Sequence, residues 1–397
     1  SRCCLDPLGI VEDLGDVVAF ILQAGGKLLA QSQVEQALRI IERDPLPQNP
    51  RRTTRRWMLD SYDLTDLLLG LMDWDEPGHP PAPQPAIARV LDHWQRAFSL
   101  GGHFFGKAER RFRVALPLAT SNDLGMFPEI LLRWSRLSER SVYHNWATAI
   151  LDQWRTDPFH RAYGLFPRIS AFFVPVRFLR GMTSAARLFK DNTNLLASFL
   201  SAYRETGDER YSETVRGWHR GFVTHLLRAD GAVRMQWTPD RPAEVVDLRS
   251  FQVIDLLCDV FVDLGFDTAL DTARRTADYW LRYQQETGLF PQCPEPPADW
   301  ASISDSQTDM TVALFKLYET TGENAYEEAA IRCMRGIHRF HFQEFGLANS
   351  VDSRTGEVLD PTSKTKFLAL SLKAWMALEN RGRIYASGEL RARLADR

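Results

Sequence analysis

Six polar residues recur at comparable places along the chain: Asp66, Glu129, Asn194, Gln252, Asp309 and Lys366. Each stands at the head of an apolar run such as Leu67-Leu68-Leu69, Ile130-Leu131-Leu132 or Leu195-Leu196. Held at one level they would form a polar ring of carboxylates, amides and one ammonium. Paired carboxylates can divide acid and base work: one, protonated, hands a proton to a leaving oxygen while the other, ionised, activates water or attacks carbon. Tyr62, Asp63, Asn122, Asp123, Asp191, Asn192, Arg249, Asp305, Gln307 and Lys364 fall just before the same positions. Asp123 and Asp305 are expected in loop segments, where a carboxylate faces substrate. The catalytic candidates are Glu129, Asp309, Asp66, Asp123 and Asp305. A second reading competes for each of them. Asp63-x-x-Asp66, Asp191-x-x-Asn194 and Ser306-x-x-Asp309 also have capping spacing, and acids favour a first helical turn through the helix dipole alone. Lys366 departs from that logic, because a cation is unfavourable at a helix start.

The segment 160–190 concentrates aromatic and basic residues: His160, Tyr163, Phe166, Arg168, Phe172, Phe173, Arg177, Arg180 and Arg187. Aromatic faces suit the C–H side of a sugar ring, and guanidinium groups fork onto carboxylate or sulfate. The competing reading makes the phenylalanines core under a long loop and leaves the arginines to water or local acids. Trp237 and Trp300 occupy corresponding loops of later repeats as further sugar platforms. The substrate-binding candidates are Arg168, Arg177, Lys366, Asn194, Gln252, His160, Tyr163, Trp237 and Trp300. Trp134, Trp146, Trp154, Trp218 and Trp280 fall on helical faces and are expected to pack. His219, His225, His338 and His341 belong to the outer helices, whereas His103 and His160 lie in or near loops, where a proton-transfer role is open.

These residues need elements to position them, and the chain repeats. Thr193 through Tyr211, moved along by 115 residues, lands on Thr308 through Tyr326, matching at Thr193/Thr308, Tyr203/Tyr318, Thr206/Thr321, Gly207/Gly322 and Tyr211/Tyr326. Each copy reads as a helix, a turn with Gly where the helix ends, and a second helix. The same opening recurs at Thr65 and Thr365, and the intervals place two more copies near Phe127-Pro128-Glu129 and Phe251-Gln252-Val253. The count is six hairpins. Second helices are expected over 86–98, 141–154, 211–227, 267–283 and 326–340. The long connections carry Gly164-Leu165-Phe166-Pro167 and Gly288-Leu289-Phe290-Pro291, with little strand. Open helical solenoids use shorter repeats of ~34–47 residues.

On the repeat count, the Gly-Leu-Phe-Pro motif and the Tyr-x-x-Thr-Gly-Asp/Glu-x-x-Tyr turns, residues 58–395 resemble the six-hairpin (α/α)6 toroid superfamily of carbohydrate-active enzymes. The resemblance implies an all-α fold of six helical hairpins with long loops on one face, and a site where those loops meet the starts of the inner helices. It does not choose among the glycoside hydrolases, polysaccharide lyases and sugar epimerases of that superfamily. The domain reading is an N-terminal helical extension over 1–50 and a toroid catalytic domain over 51–397. The extension either packs on the toroid or mediates a homodimer. The leading expectation is hydrolysis of an oligo- or polysaccharide, preferably anionic, by a carboxylate acid/base pair. The runner-up is a lyase or uronate C5-epimerase using Tyr62, Tyr163, His160 or Lys366 as base, with Arg or Lys neutralising the substrate carboxylate. A third reading is a helical toroid that binds a glycan or protein without reacting.

Composition narrows the partners. With 48 basic against 51 acidic residues in 397, the net charge is −3. No global field gathers nucleic acid or anionic membrane. Arg51-Arg52-Thr53-Thr54-Arg55-Arg56 reads as a solvated linker beside prolines. The longest apolar runs, such as Val17 to Leu22, are far below the ~20 residues that span a bilayer. Neither a P-loop, a Gly-x-Gly-x-x-Gly after a strand, nor a His-Glu-x-x-His pattern occurs, so no cofactor or metal is expected. Five cysteines without zinc spacing favour a reducing, cytoplasmic setting, with Cys258 and Cys333 as small core residues. Export with a signal already removed stays open.

Overall fold

The structure, a computed structural model, describes residues 27–47, 58–74, 83–116, 118–170, 185–240, 245–344, 346–364, 367–372 and 374. Arg177, Lys366 and the aromatic cluster at 172–178 lie outside the described residues, as does the first part of the N-terminal extension expected over 1–50. The chain divides into two compact units, Ser1–Thr214 and Val215–Arg397, with the boundary inside one helix.

In the first unit, α1 (Lys27–Arg43) packs on α2 (Thr65–Trp74) and α3 (Gln84–Phe98). The short α4 (Ser121–Leu124) leads into α5 (Phe127–Ser138), which pairs with α6 (Ser141–Arg155). After α7 (Pro158–Tyr163) comes α8 (Thr193–Thr206), and α9 (Glu209–His225) crosses the boundary. The first helices of successive hairpins pack in chain order, α2 on α5 and α5 on α8. Their apolar content is high enough to bury most of the surface: Leu67, Leu68, Leu71, Leu131, Leu132, Leu195, Leu196 and Phe199 are all in the core. The second helices are amphipathic, burying Ile87, Val90, Leu91, Trp94 and Phe98 at three- and four-residue steps. Trp94 stacks on Phe127 at 4.3 Å and on Phe104 at 5.3 Å, tying α3 to the start of α5. Burying one such side chain contributes roughly 1.5–3 kcal/mol.

In the second unit α10 (Phe251–Leu264) pairs with α11 (Asp267–Leu281), α12 (Ser304–Thr321) pairs with α13 (Asn324–Gly336), and α10 packs on α12. Residues 367–372 are helical. Between α10 and α12 the buried Lys316 ammonium is held by Asp255 at 2.9 Å and Asp259 at 2.8 Å. Cys258 and Cys333 are buried, as their sequence surroundings imply.

The hairpin turns fit the repeat. Gly207, Gly265 and Gly322 follow α8, α10 and α12 with φ of 66°, 61° and 74°, the left-handed conformation that ends a helix. The Gly-Leu-Phe-Pro segments prove to be joints. Asn192 accepts the Phe166 N–H at 2.8 Å and donates to the Phe166 carbonyl at 3.0 Å. Gln307, 115 residues later, makes the same two bonds to Phe290, at 2.9 and 2.8 Å. The phenylalanine rings are fully buried, so the motif is conserved in geometry between the two repeats by an amide clamp.

Strands are short and confined to the connections. β1 (Met58–Asp60), β2 (Lys107–Glu109) and β3 (Val114–Leu116) form an antiparallel sheet whose register sets Asp60 opposite Lys107.

Candidate active site

Three single-turn segments precede the first helices of the first unit: Ser61–Leu64 before α2, Ser121–Leu124 before α5 and the kinked Leu188–Asn192 before α8. The middle one packs on each of the other two, and together they carry Asp63, Asp123 and Asp191, all buried. Asp123, expected in a loop, belongs instead to the one-turn α4, because Ser121 and Gly125 close an i, i+4 backbone bond there at 2.8 Å.

Lys107 reaches into this cluster from β2. Its ammonium bonds to Asp60 Oδ2 and lies 3.0 Å from Asp123 Oδ2. The approach depends on Gly106: a Cβ there would stand 2.6 Å from the Asp123 Cβ and closer still to the Thr120 hydroxyl. Asp123 also receives the Thr120 hydroxyl and, at 3.0 Å, the Asn122 amide. Burial, followed by the neighbouring Asp123 charge, pushes the Asp60 carboxyl up to about 7, and Lys107 only partly opposes them. Burial works against the Lys107 charge, yet Asp123 and Asp60 hold its pKa above the ordinary value.

Asp191 is 1% exposed, and burial raises it to about 6 against the opposing Ser121 hydroxyl bond, 2.6 Å long, and the arginines Arg187 and Arg168. Arg187 stands 4.0 Å from it. Arg168 is exposed, and its carbonyl accepts the Ser121 N–H at 3.1 Å. Asp66, Glu129 and Asn194 are half-buried in the first turns of α2, α5 and α8. A Cβ on Gly125 would come 2.8 Å from the Asn194 Cβ, so α5 and α8 start in close contact.

His160 is buried on α7 and stacked on Phe166 with centroids 4.5 Å apart. Burial lowers it to about 4, which keeps the ring neutral. Tyr163 packs against Phe159 at 4.9 Å.

The second unit holds the remaining candidates. Asp305, expected in a loop, lies in the first turn of α12, where it accepts the Ser306 N–H at 2.7 Å. Gln252 is half-buried at the start of α10, and Asp309, expected at the head of its helix, is half-buried in the second turn of α12 because that helix already begins at Ser304. Trp237 is buried against His225 at 4.2 Å, and Trp300 carries the Arg354 guanidinium over its ring at 4.8 Å. Arg249 forks onto Asp247 through two bonds of 2.7 Å.

The first unit thus gathers Asp123 with two residues that sequence reasoning missed, Asp60 and Lys107. Neither has a local signal, since they meet only through the β1–β2 register. Among the described residues no cluster of His, Cys, Asp or Glu is arranged to hold a metal, and no helix is long and apolar enough to cross a membrane.

This arrangement of helical hairpins, with short turns leading into the first helix of each, is the (α/α)6 toroid fold. The solved structures it matches are carbohydrate-active enzymes of that fold. They include an α-1,2-mannosidase from Trichoderma reesei, with TM-score 0.70, 11% identity, and 91% of this chain and 84% of that one covered. A cellobiose 2-epimerase from Spirochaeta thermophila matches with TM-score 0.63, 15% identity and coverage of 90% and 98%. The unsaturated glucuronyl hydrolase of Bacillus sp. GL1 matches with TM-score 0.57, 16% identity and coverage of 89% and 97%. No family model matches the chain, and no curated protein matches its sequence.

Proposed function

We propose that this chain is a carbohydrate-active enzyme, specifically a glycoside hydrolase, and that its acid/base chemistry resides in the first unit. One observation carries the reading: a single ammonium, Lys107, joins two carboxylates, Asp60 and Asp123, just ahead of the first helices. Asp60, pushed up to about 7, is the proton donor to the leaving glycosidic oxygen. Asp123 supplies the partner carboxylate that activates water or attacks the anomeric carbon. The C–O bond breaks, the leaving sugar keeps the donated proton, and water supplies the new anomeric hydroxyl. Glu129 and Asp66, half-buried in adjacent first turns, are the next candidates for the base, and Asp309 and Asp305 are candidates of the second unit in its own right. Arg168 and Arg187 beside Asp191 favour an anionic oligo- or polysaccharide.

The second reading, proton abstraction beside a uronate carboxylate in a lyase or epimerase, draws on Tyr62 next to the cluster and on the epimerases among the similar structures. Incubation with neutral and uronate-containing polysaccharides separates them. New reducing ends without ultraviolet absorbance are the expected result. Absorbance of an unsaturated uronate would move the assignment to elimination. Solvent-deuterium incorporation without cleavage would move it to epimerisation, and saturable binding with none of these signals to a binding protein.

A further inference from the structure

Two lysines inside the fold are each bridged by two carboxylates, Lys107 by Asp60 and Asp123, and Lys316 by Asp255 and Asp259. Lys190 is different. Among the described residues no carboxylate pairs with it, and its ammonium lies over two aromatic faces, Tyr62 at 5.0 Å and Phe189 at 5.4 Å. A ring face attracts a cation but cancels none of its charge and accepts no conventional hydrogen bond, so the ammonium keeps its capacity for an anion.

The backbone at Lys190 is also unusual. Its φ of 64° and ψ of −25° fall in a region that L-residues avoid. The two other described non-glycine residues with positive φ have local reasons: Glu139 ends α5 and Arg113 turns the β2–β3 hairpin. Lys190 instead stands inside the kinked turn Leu188–Asn192 that leads into α8, and its surroundings enforce the conformation. Its N–H donates to the Thr193 hydroxyl at 3.0 Å, and Asn192 holds the Arg187 carbonyl at 2.6 Å while clamping Phe166. Strain that neighbours hold in place clusters at active sites, ligand clamps and switch regions. Here it sets a half-buried cation on Tyr62, within the same group of turns that carries Asp63, Asp123 and Asp191.

We propose that Lys190, seated on Tyr62, is an anion-reading subsite that binds the carboxylate of an acidic sugar residue. The proposal rests on the carbohydrate reading above and adds a specificity-determining residue to it. Lysine suits this role as a point charge that need not match one fork geometry, and the aromatic face keeps it in place until the carboxylate arrives.

Calorimetry on the full chain with tetragalacturonate and neutral cellotetraose tests it. Lys190→Gln is expected to weaken the acidic probe about tenfold or more while changing the neutral one less than about twofold, and Lys190→Arg to restore most of the difference. Lys190→Gly, which relieves the backbone, is expected to fold at least as well as the parent and still lose the acidic probe. The proposal is overturned if the parent chain does not bind the acidic probe, or if the Gln variant binds both probes in the parent's ratio. Cleavage of neutral glycans only would remove the Lys190 assignment and leave the hydrolase. Lys190-dependent binding without cleavage of any glycan would do the reverse.

Discussion

The folded chain retains the Asp60 proton up to about 7, whereas an unfolded aspartate loses it near ~4. Between those values the native state binds more protons, so stability from this carboxyl is fully present below ~4 and is lost as pH rises through about 7. Asp191 acts in the same sense over a window closing near about 6. Asp60→Asn removes its share of that loss. Urea unfolding should therefore show the variant gaining on the parent from pH ~4.5 to ~7.5. In activity the order reverses: the parent's kcat/KM should fall above about 7, and Asp60→Asn should lose roughly 10²–10⁴ below it, the gap narrowing as pH rises past it. Both carboxylate oxygens sit within bonding distance of one nitrogen, closer to the ~5–5.5 Å spacing of retaining enzymes than to the ~6.5–9.5 Å of inverting ones. Proton NMR of the first product anomer should show retention, and inversion would exclude the pair as assigned. Asp123 was legible in the sequence because it sits next to a repeat position. Asp60 and Lys107 were not, because 47 residues of chain separate them and only strand register brings them together.

At the scale of elements, the helical hairpins could be read from apolar spacing and from glycines at the helix ends, since both signals are local. The meaning of Gly-Leu-Phe-Pro could not, because its partner is an amide on another element. Asn192 and Gln307 make the same clamp in two repeats, which permits an internal comparison. Replacing either by Ala strands a buried backbone N–H and C=O, and each should cost about 1–3 kcal/mol in chemical denaturation. Only Asn192→Ala should also raise KM, because only that clamp adjoins Lys190 and Asp191. Equal KM effects from the two variants would reduce the first clamp to a structural role. Gly106→Ala belongs to the same scale: the added methyl collides with Thr120 and Asp123, and should abolish activity by displacing Lys107.

At the scale of the whole molecule, the fold was legible because six similar openings at regular intervals leave few alternatives, and the matched structures share that fold. The first unit also gathers acids ahead of Asp66, Glu129 and Asn194, at Asp60, Asp63, Asp123 and Asp191, and alignment of helix starts alone does not reveal that offset. A net charge of −3 provides no long-range attraction for an acidic glycan, so its capture must depend on a few local cations. Affinity for an acidic oligosaccharide should accordingly fall between ~0.05 and ~0.5 M salt, while affinity for a neutral one stays level. A flat response for both would place the substrate among neutral sugars.

The two buried thiols of the second unit have a practical consequence. Burial pushes Cys258 and Cys333 up to about 12, so neither forms an appreciable thiolate at neutral pH while the helices around it stay closed. Among the described cysteines, Cys293, half-buried in a connection, is the accessible one. An alkylating reagent followed by mass spectrometry therefore acts as a clock for local opening. The Cys293 adduct records exposure of the native surface, and the later adducts record how often the α10–α13 packing comes apart.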